Sequence, residues 1–373
     1  MKSNNSEQVF LALLRAGLWE KDVLLSSYGD LNYDIIMKMA EEQSVVGLIT
    51  AGLEHVKDVQ VPKDKTLLFV GSTLQIEQRN KAMNDFIARL FTRLQHEGLN
   101  VVLVKGQGVA QCYERPLWRV CGDVDLLMNK EVYERAKQVL LPTAQSIEPE
   151  YKSILHQGMT IDNIVVELHG TLKAGVTTQM DNGIEELEED TFAERKVRAW
   201  NNNNVAVYQP CPDNDIILVF THILDHFFKG GIGLRQICDW CRLLWVYRDS
   251  IDPALLEKRV NKLGIKSEWK VFSCLAVDYL GMPEDALPFY EDCSKWKKKS
   301  GKALSFIMRA GNFGHNIEKV HHRDKSFIHR KAISLLIHSR DAKNVLTIFP
   351  LDTMRMWNRM LFEGLKVAII ENK

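Results

Sequence analysis

The 373-residue sequence has no long hydrophobic run. Its longest apolar stretches, such as Ile216 to Phe220 or Val367 to Ile370, fall far short of the ~20 residues a membrane helix needs, so no bilayer span and no membrane partner are expected. Net charge is missing too: 48 basic residues balance 48 acidic ones, which excludes a global field drawing the chain to nucleic acid or to an anionic surface. Nucleic acid is therefore not an expected partner. The start, MKSNNSEQVFLALLRAGLWEKD, lacks a cationic opening, a sustained apolar segment and a cleavage site, and seven cysteines are an odd number in a large chain. Both features predict a reducing, cytoplasmic setting. There is no internal repeat and no low-complexity segment beyond the four asparagines at 201–204. What remains, 46% apolar and 26% charged, is an ordinary soluble composition in a chain long enough for two or three compact units.

From Ser6 to about Glu97 apolar residues recur at spacings of three and four, which predicts a helical layer stopped by Gly98. After Asn100 the period changes. VVLV at 101–104 is a short β-branched run ending in Lys105-Gly106, a strand closed by a tight turn in which the glycine takes the conformation other residues resist. Gln107 to Tyr113 predict a short helix broken by Pro116, DVDLLM at 123–128 a second strand, and 130–140 a helix. MTI and IVVELH flank Asp162-Asn163, a dipeptide that tolerates positive φ, so a hairpin with a third strand over Ile164 to His169 is expected. A polar, acidic loop containing the asparagines follows, then a short strand VAVY, and Pro212-Asp213 open a helical remainder with connections near Gly281 and at 311–324. The predicted units are a helical region at 1–97, an α/β core at 98–212 and a helical domain at 213–373.

Two carboxylates, Asp123 and Asp125, interrupt an otherwise apolar strand two residues apart, and side chains at that spacing share one face. Spacing alone is weak, because Asp213 and Asp215 repeat it at a helix start, where acids are expected to cap N–H groups. The distinguishing feature is a second apolar strand that does the same with Glu167 and His169. If the strands are neighbours, three carboxylates converge, which like-charge repulsion disfavours unless protons or divalent cations neutralise them. Two Mg²⁺ (or Mn²⁺) ions held by carboxylates and substrate phosphates are one standard solution, used to activate a nucleophile and stabilise a departing pyrophosphate. Phosphates need a cradle as well. The turn Lys105-Gly106-Gln107-Gly108 supplies N–H groups and an ammonium, and Arg119 is placed to fork onto a phosphate.

The string V-K-G, then Y, P and R, then G-D-V-D-L-L, V-E-L-H, a helical D-x-I-L-x-x-x-H-x-x-x-H and L-R-x-I-C-D-W resembles a poorly characterised bacterial nucleotidyltransferase family, a divergent branch of the DNA polymerase β-like nucleotidyltransferases. The resemblance covers roughly 98 to 245. It implies an α+β fold, with a small mixed-sheet, palm-like core between N- and C-terminal helical domains. It also implies that Asp123 and Asp125 bind metal, that Glu167 is the third carboxylate, and that Gly106 marks the phosphate-facing turn. Lys105, Gln107, Arg119 and His169 complete the expected nucleotide-binding set. The chain departs from the wider superfamily in having Lys105-Gly106-Gln107 where a Gly-Ser is usual, so a charge stands where a hydroxyl would touch phosphate. The expected reaction is transfer of a nucleoside monophosphate from an NTP to an unknown acceptor, small molecule or protein, with release of pyrophosphate.

Other readings compete. Some glycosyltransferases hold metal with Asp-x-Asp, but they set a longer nucleotide-binding region before the acids than the stretch from Gly106 to Asp123 allows. A catalytically silent nucleotide-binding module is the second alternative. His222 and His226 lie one helical turn apart and permit zinc, although lining a cleft or packing inside it is the simpler expectation. Cys238-Asp-Trp-Cys241 has redox spacing inside an amphipathic helix, where buried small residues are expected. Arg235 and Asp239 are expected as a helix-surface pair that can also reach the cleft. The basic runs at 295–302 and 321–331 read as solvated faces, and Trp240, Trp245, Trp269 and Trp357 as core.

Overall fold

Alternation along the central strands produces a sheet with two unlike faces. The computed structural model describes residues 5–312 and 345–359; the basic run at 321–331, the apolar stretch at 367–370 and most of the connection at 311–324 lie outside them. β1 (Val102–Val104), β2 (Asp123–Leu127), β3 (Ser146–Ile147), β4 (His156–Ile161) and β5 (Ile164–His169) form a five-stranded sheet in the order β1-β2-β5-β4-β3. β2 and β5 run parallel and the other pairs antiparallel, so the sheet is mixed. Leu103, Val124, Leu126, Met159, Val166 and Leu168 point to one face, against Phe86, Ile87, Phe91 and Leu94 of α4 (Lys63–His96) and Val132, Tyr133 and Leu140 of α6 (Lys130–Leu140). The opposite face buries Val102, Val104 and Leu127. Asp123, Asp125, Glu167, His156 and His169 share that face.

Ahead of α4, the layer consists of α1 (Asn5–Trp19), α2 (Tyr33–Glu42) and α3 (Val46–Glu54). Between β1 and β2 lies the five-residue α5 (Gly106–Ala110). The β4–β5 hairpin turns at Asp162 and Asn163, with φ of 51° and 62°, the left-handed pair a tight two-residue connection requires.

Two segments depart from expectation. The stretch read as an acidic loop holds α7 (Thr178–Ala193), capped by Thr177 Oγ1 accepting from Met180 N, and it buries Met180, Ile184, Leu187 and Thr191 at helical spacing. The asparagine run divides: Asn201 and Asn202 end a strand, β6 (Val197–Asn202), while Asn203 and Asn204 make the left-handed turn into β7 (Val205–Pro210).

Then follow α8 (Pro212–Lys229), α9 (Leu234–Tyr247), α10 (Pro253–Leu263), α11 (Lys266–Leu280) and α12 (Ser294–Ala310). These helices and the N-terminal ones bury a single apolar cluster, joining Phe10, Leu13 and Ile49 to Phe220, Trp240, Trp269 and Phe272. Cys238 and Cys241 are fully buried in it, as their amphipathic helix predicts. No helix among the described residues is long and apolar enough to cross a membrane. The result is an α+β fold in which α8 and α9 cover the polar face of the sheet and leave a cleft there.

Candidate active site

Strand pairing brings the acids together. Asp125 and Glu167 are direct neighbours on the parallel strands β2 and β5, with Asp123 two residues earlier on the same face. The three are not equivalent. Lys105 Nζ stands 2.8 Å from Asp125 Oδ1, and His169 Nε2 stands 2.9 Å from the same oxygen. Burial alone would raise the Asp125 carboxyl, but the lysine and the imidazole outweigh it and hold the group below the usual carboxylate range. Asp123 receives no hydrogen bond or ion pair at its carboxylate among the described residues. The negative charge of Asp125, followed by burial, pushes it up to about 6. Glu167 accepts from His156 at 3.2 Å and faces His169 at 3.4 Å; the two imidazoles overcome its burial and keep it charged. His169 is raised in turn, its burial outweighed by Asp125 and Glu167. The trio is thus partly compensated by the Lys105 ammonium, the His169 imidazole and, at Asp123, the Arg235 guanidinium, with the shortfall concentrated at Asp123.

His156 was not anticipated. It is the direct partner of His169 across the hairpin, and its ring lies 4.8 Å from that of His169.

The strained turn includes the lysine itself. Lys105 has φ +58° and ψ −146°, a conformation that a non-glycine residue holds only when its surroundings enforce it, and Gly106 follows at φ +43°. A Cβ on Gly106 would lie 3.3 Å from Cys121 Sγ and 3.4 Å from the Asp123 carbonyl. The turn therefore packs directly against the start of β2, and the lysine is delivered onto Asp125.

Two expected phosphate ligands are otherwise engaged. The Gln107 side chain is buried and donates to Asn80 Oδ1 at 2.7 Å. Arg119 forks onto Asp239 of α9 at 2.9 and 2.6 Å, both groups buried, and Tyr113 donates its hydroxyl to the same carboxylate. Asp239 is accordingly no helix-surface partner of Arg235. Arg235 instead donates to Val120 O at 2.7 Å and lines the acid cavity, where its Nε has no hydrogen-bond partner among the described residues. The pair Asp213 and Asp215 does not cap α8 either: Asp213 accepts from Asp252 N, and buried Asp215 pairs with Arg198.

Two cavities flank the acids. The first, about 130 Å³, is lined by Lys105, Asp123, Asp125, Glu167 and Arg235, with the Arg119–Asp239 pair also in its wall. The second, about 290 Å³, is lined by Tyr151, His156, His169 and Leu172. Lys105, Glu167, His222 and His226 border both, so the cavities adjoin and together reach the size of a usual small-molecule site. His222 and His226 lie with ring centroids 4.4 Å apart, and burial holds both in the neutral form, His222 the more strongly. They line the cleft, as the simpler reading held. Among the described residues no third ligand joins them in a metal-sized group.

A family model described as "Uncharacterised nucleotidyltransferase" matches residues 30–281. No curated protein matches the chain. Among solved structures, the chain is similar to an antigenic nucleotidyltransferase-like protein from Paracoccidioides brasiliensis, with 12% identity, 57% of this chain and 94% of that chain covered, and a TM-score of 0.33.

Proposed function

Because the chain belongs to the uncharacterised nucleotidyltransferase family, we propose that its acid-lined cleft transfers a nucleoside monophosphate from an NTP to an acceptor, small molecule or protein, and releases pyrophosphate. The family implies a nucleotide substrate. The observation that carries the reading is the pair Asp123 and Asp125 on one strand face, in register with Glu167, at a cavity that also holds Lys105 and Arg235.

The donor set suits a hard dication such as Mg²⁺ or Mn²⁺. Asp123 faces the charge of Asp125 with no donor of its own, and oxygen ligands of this kind are what such ions prefer. Asp123 and Asp125 would hold the ion, with Glu167 as third carboxylate. Bound there, it would screen phosphate charge and polarise the reacting phosphoryl group.

The chain's own residues account for the rest. Lys105, aimed into the site by its strained turn, would exchange its contact with Asp125 for a phosphate oxygen, and Arg235 would take the place first expected of Arg119. Arg119 positions the entry to β2 through Asp239. His222 and His226, buried and neutral, narrow the cleft and keep bulk water from the transferring group. The acceptor attacks the α-phosphorus in line with the departing pyrophosphate, and Glu167, or a metal-bound carboxylate beside it, would receive its proton.

The test is incubation with each α-labelled NTP and Mg²⁺ or Mn²⁺, using cell extract as the acceptor source. Label should move to an acceptor and vanish with Asp123→Asn/Asp125→Asn. Transfer that persists in the double variant overturns the assignment, and nucleotide binding without transfer identifies a silent module instead.

A further inference from the structure

The acids account for only half of the polar cluster; the other half is rich in nitrogen. His156 and His169 are opposite one another on β4 and β5, and Glu167 lies two residues before His169 on the same face. One ring nitrogen from each of His156 and His169 and a carboxylate oxygen of Glu167 lie within 4.8 Å of one another. The two imidazoles converge on one carboxylate oxygen, at 3.2 and 3.4 Å.

We infer that His156, Glu167 and His169 form a binding site for a transition-metal dication of the zinc, cobalt or manganese type, which shares Glu167 with the oxygen site at Asp123 and Asp125 and differs from it in its two imidazole nitrogens. Three arguments support it. The first is spacing. Ligand atoms ~2.0–2.1 Å from a tetrahedral metal stand ~3.3 Å from each other, which fits both contacts to Glu167. His169 Nε2 makes its short contact with Asp125 Oδ1, at 2.9 Å, and a metal would take the place of that hydrogen bond.

The second is donor type. Two imidazole nitrogens and one carboxylate are a poor set for Mg²⁺, which keeps oxygen ligands, and a good one for borderline metals. The third is access. All three residues line the cavity of about 290 Å³, so three protein ligands leave an open position for water or a substrate oxygen, the arrangement of reactive rather than structural metal sites. His169 Nε2 also lies 2.9 Å from Asp125 Oδ1, which places the site at the edge of the acid pocket. It exists whether or not the protein transfers nucleotides, and the metal alone tests it.

Metal-free protein is titrated with Co²⁺ and followed by visible absorption. One equivalent should bind with the intense bands of four- or five-coordinate cobalt, and excess Mg²⁺ should not displace it. His156→Ala should abolish the bands and weaken binding by at least about tenfold. Asp123→Asn should leave both unchanged, which shows that the imidazole end of the cluster, and not the Asp123 end, holds the cobalt. His156→Gln keeps a polar contact to Glu167 without a good ligand nitrogen, and it should lose the bands too; if His156→Ala does not fold, this variant decides. Faint six-coordinate bands, ready displacement by Mg²⁺, or equal binding in folded His156→Gln would overturn the assignment.

Discussion

The ammonium of Lys105, 2.8 Å from Asp125, does the work of a counter-ion until a substrate arrives. Its removal should therefore act in two directions. Lys105→Met is expected to weaken nucleotide affinity by about ten- to a hundredfold, the loss of a charge-assisted contact, while the nucleotide-free protein gains affinity for Mn²⁺ because a competitor for Asp125 is gone. Equilibrium binding of each ligand separately would show it; parallel losses of both would refute the exchange. Arg119 calls for the opposite expectation. Its fork onto Asp239 is buried, so Arg119→Met leaves a carboxylate with only the Tyr113 hydroxyl and should cost about 3–5 kcal/mol in urea unfolding. A phosphate ligand would instead leave stability intact and raise KM. The difference between these two cations was hidden in the sequence, because the partner of Arg119 lies 120 positions away. The acids were legible from their interruption of apolar strands. His156 was legible in principle, since it mirrors His169 about the Asp162-Asn163 turn, but only once the register of that hairpin is fixed.

Helix packing in the N-terminal layer depends on glycines that no pattern in the sequence singles out. α1 and α3 cross so closely that a Cβ on Gly17 would lie 1.8 Å from Leu48 O, and one on Gly52 would lie 2.1 Å from Leu13 O. Backbone cannot yield there as a side-chain tip would. Gly52→Ala should destabilise the protein by about 2 kcal/mol or more despite its better helix propensity, with Gly71→Ala, which meets open space on α4, as a neutral or stabilising control. Equal unfolding midpoints for the two variants would show that the crossing adapts. The long-period helices and the β2, β4 and β5 strands followed from periodicity, because each buries one continuous stripe or alternates faces. α7 did not, since its acids Asp181, Glu185, Glu186, Glu188, Glu189 and Asp190 crowd the stripe of Met180, Ile184 and Leu187 that docks it. β6 was obscured for a related reason: asparagine is unfavourable in strands, and pairing with β7 overrides that preference at Asn201 and Asn202.

The far end of the described chain is tied into the same core as the site. Val345, Ile348, Phe349 and Met356 join the main apolar cluster, and Phe349 packs 5.9 Å from both Phe227 and Phe228 on α8, the helix that carries His222 and His226. Close by, Glu268 of α11 is almost fully buried beside the Asp352 carboxyl, and it accepts from Ser267 Oγ at 2.8 Å. Lys299 of α12 feels the charge of both acids, and Arg355 pairs with Asp352 at 3.1 Å. Burial first, and the charge of Asp352 second, push Glu268 up to about 8, so the folded protein keeps a proton that the unfolded chain releases near its ordinary value of 4.5. The sign follows from proton counts. Between those two values the native state binds more protons, so stability must fall as pH rises, by a slope approaching about 1.4 kcal/mol per pH unit, and the contribution is fully lost above about 8. Urea unfolding of the full chain at a series of pH values should show this decline. Glu268→Gln, which keeps a donor toward Asp352 and cannot ionise, should flatten it and be more stable than the parent at pH 8 and above. Because the pair joins the distal helical segment to a core shared with α8, the same pH rise should loosen both together, so that unfolding monitored by tryptophan fluorescence and by Co²⁺ release from the histidine site shifts in parallel. A Glu268→Gln profile with the parental slope would move the titration to another group.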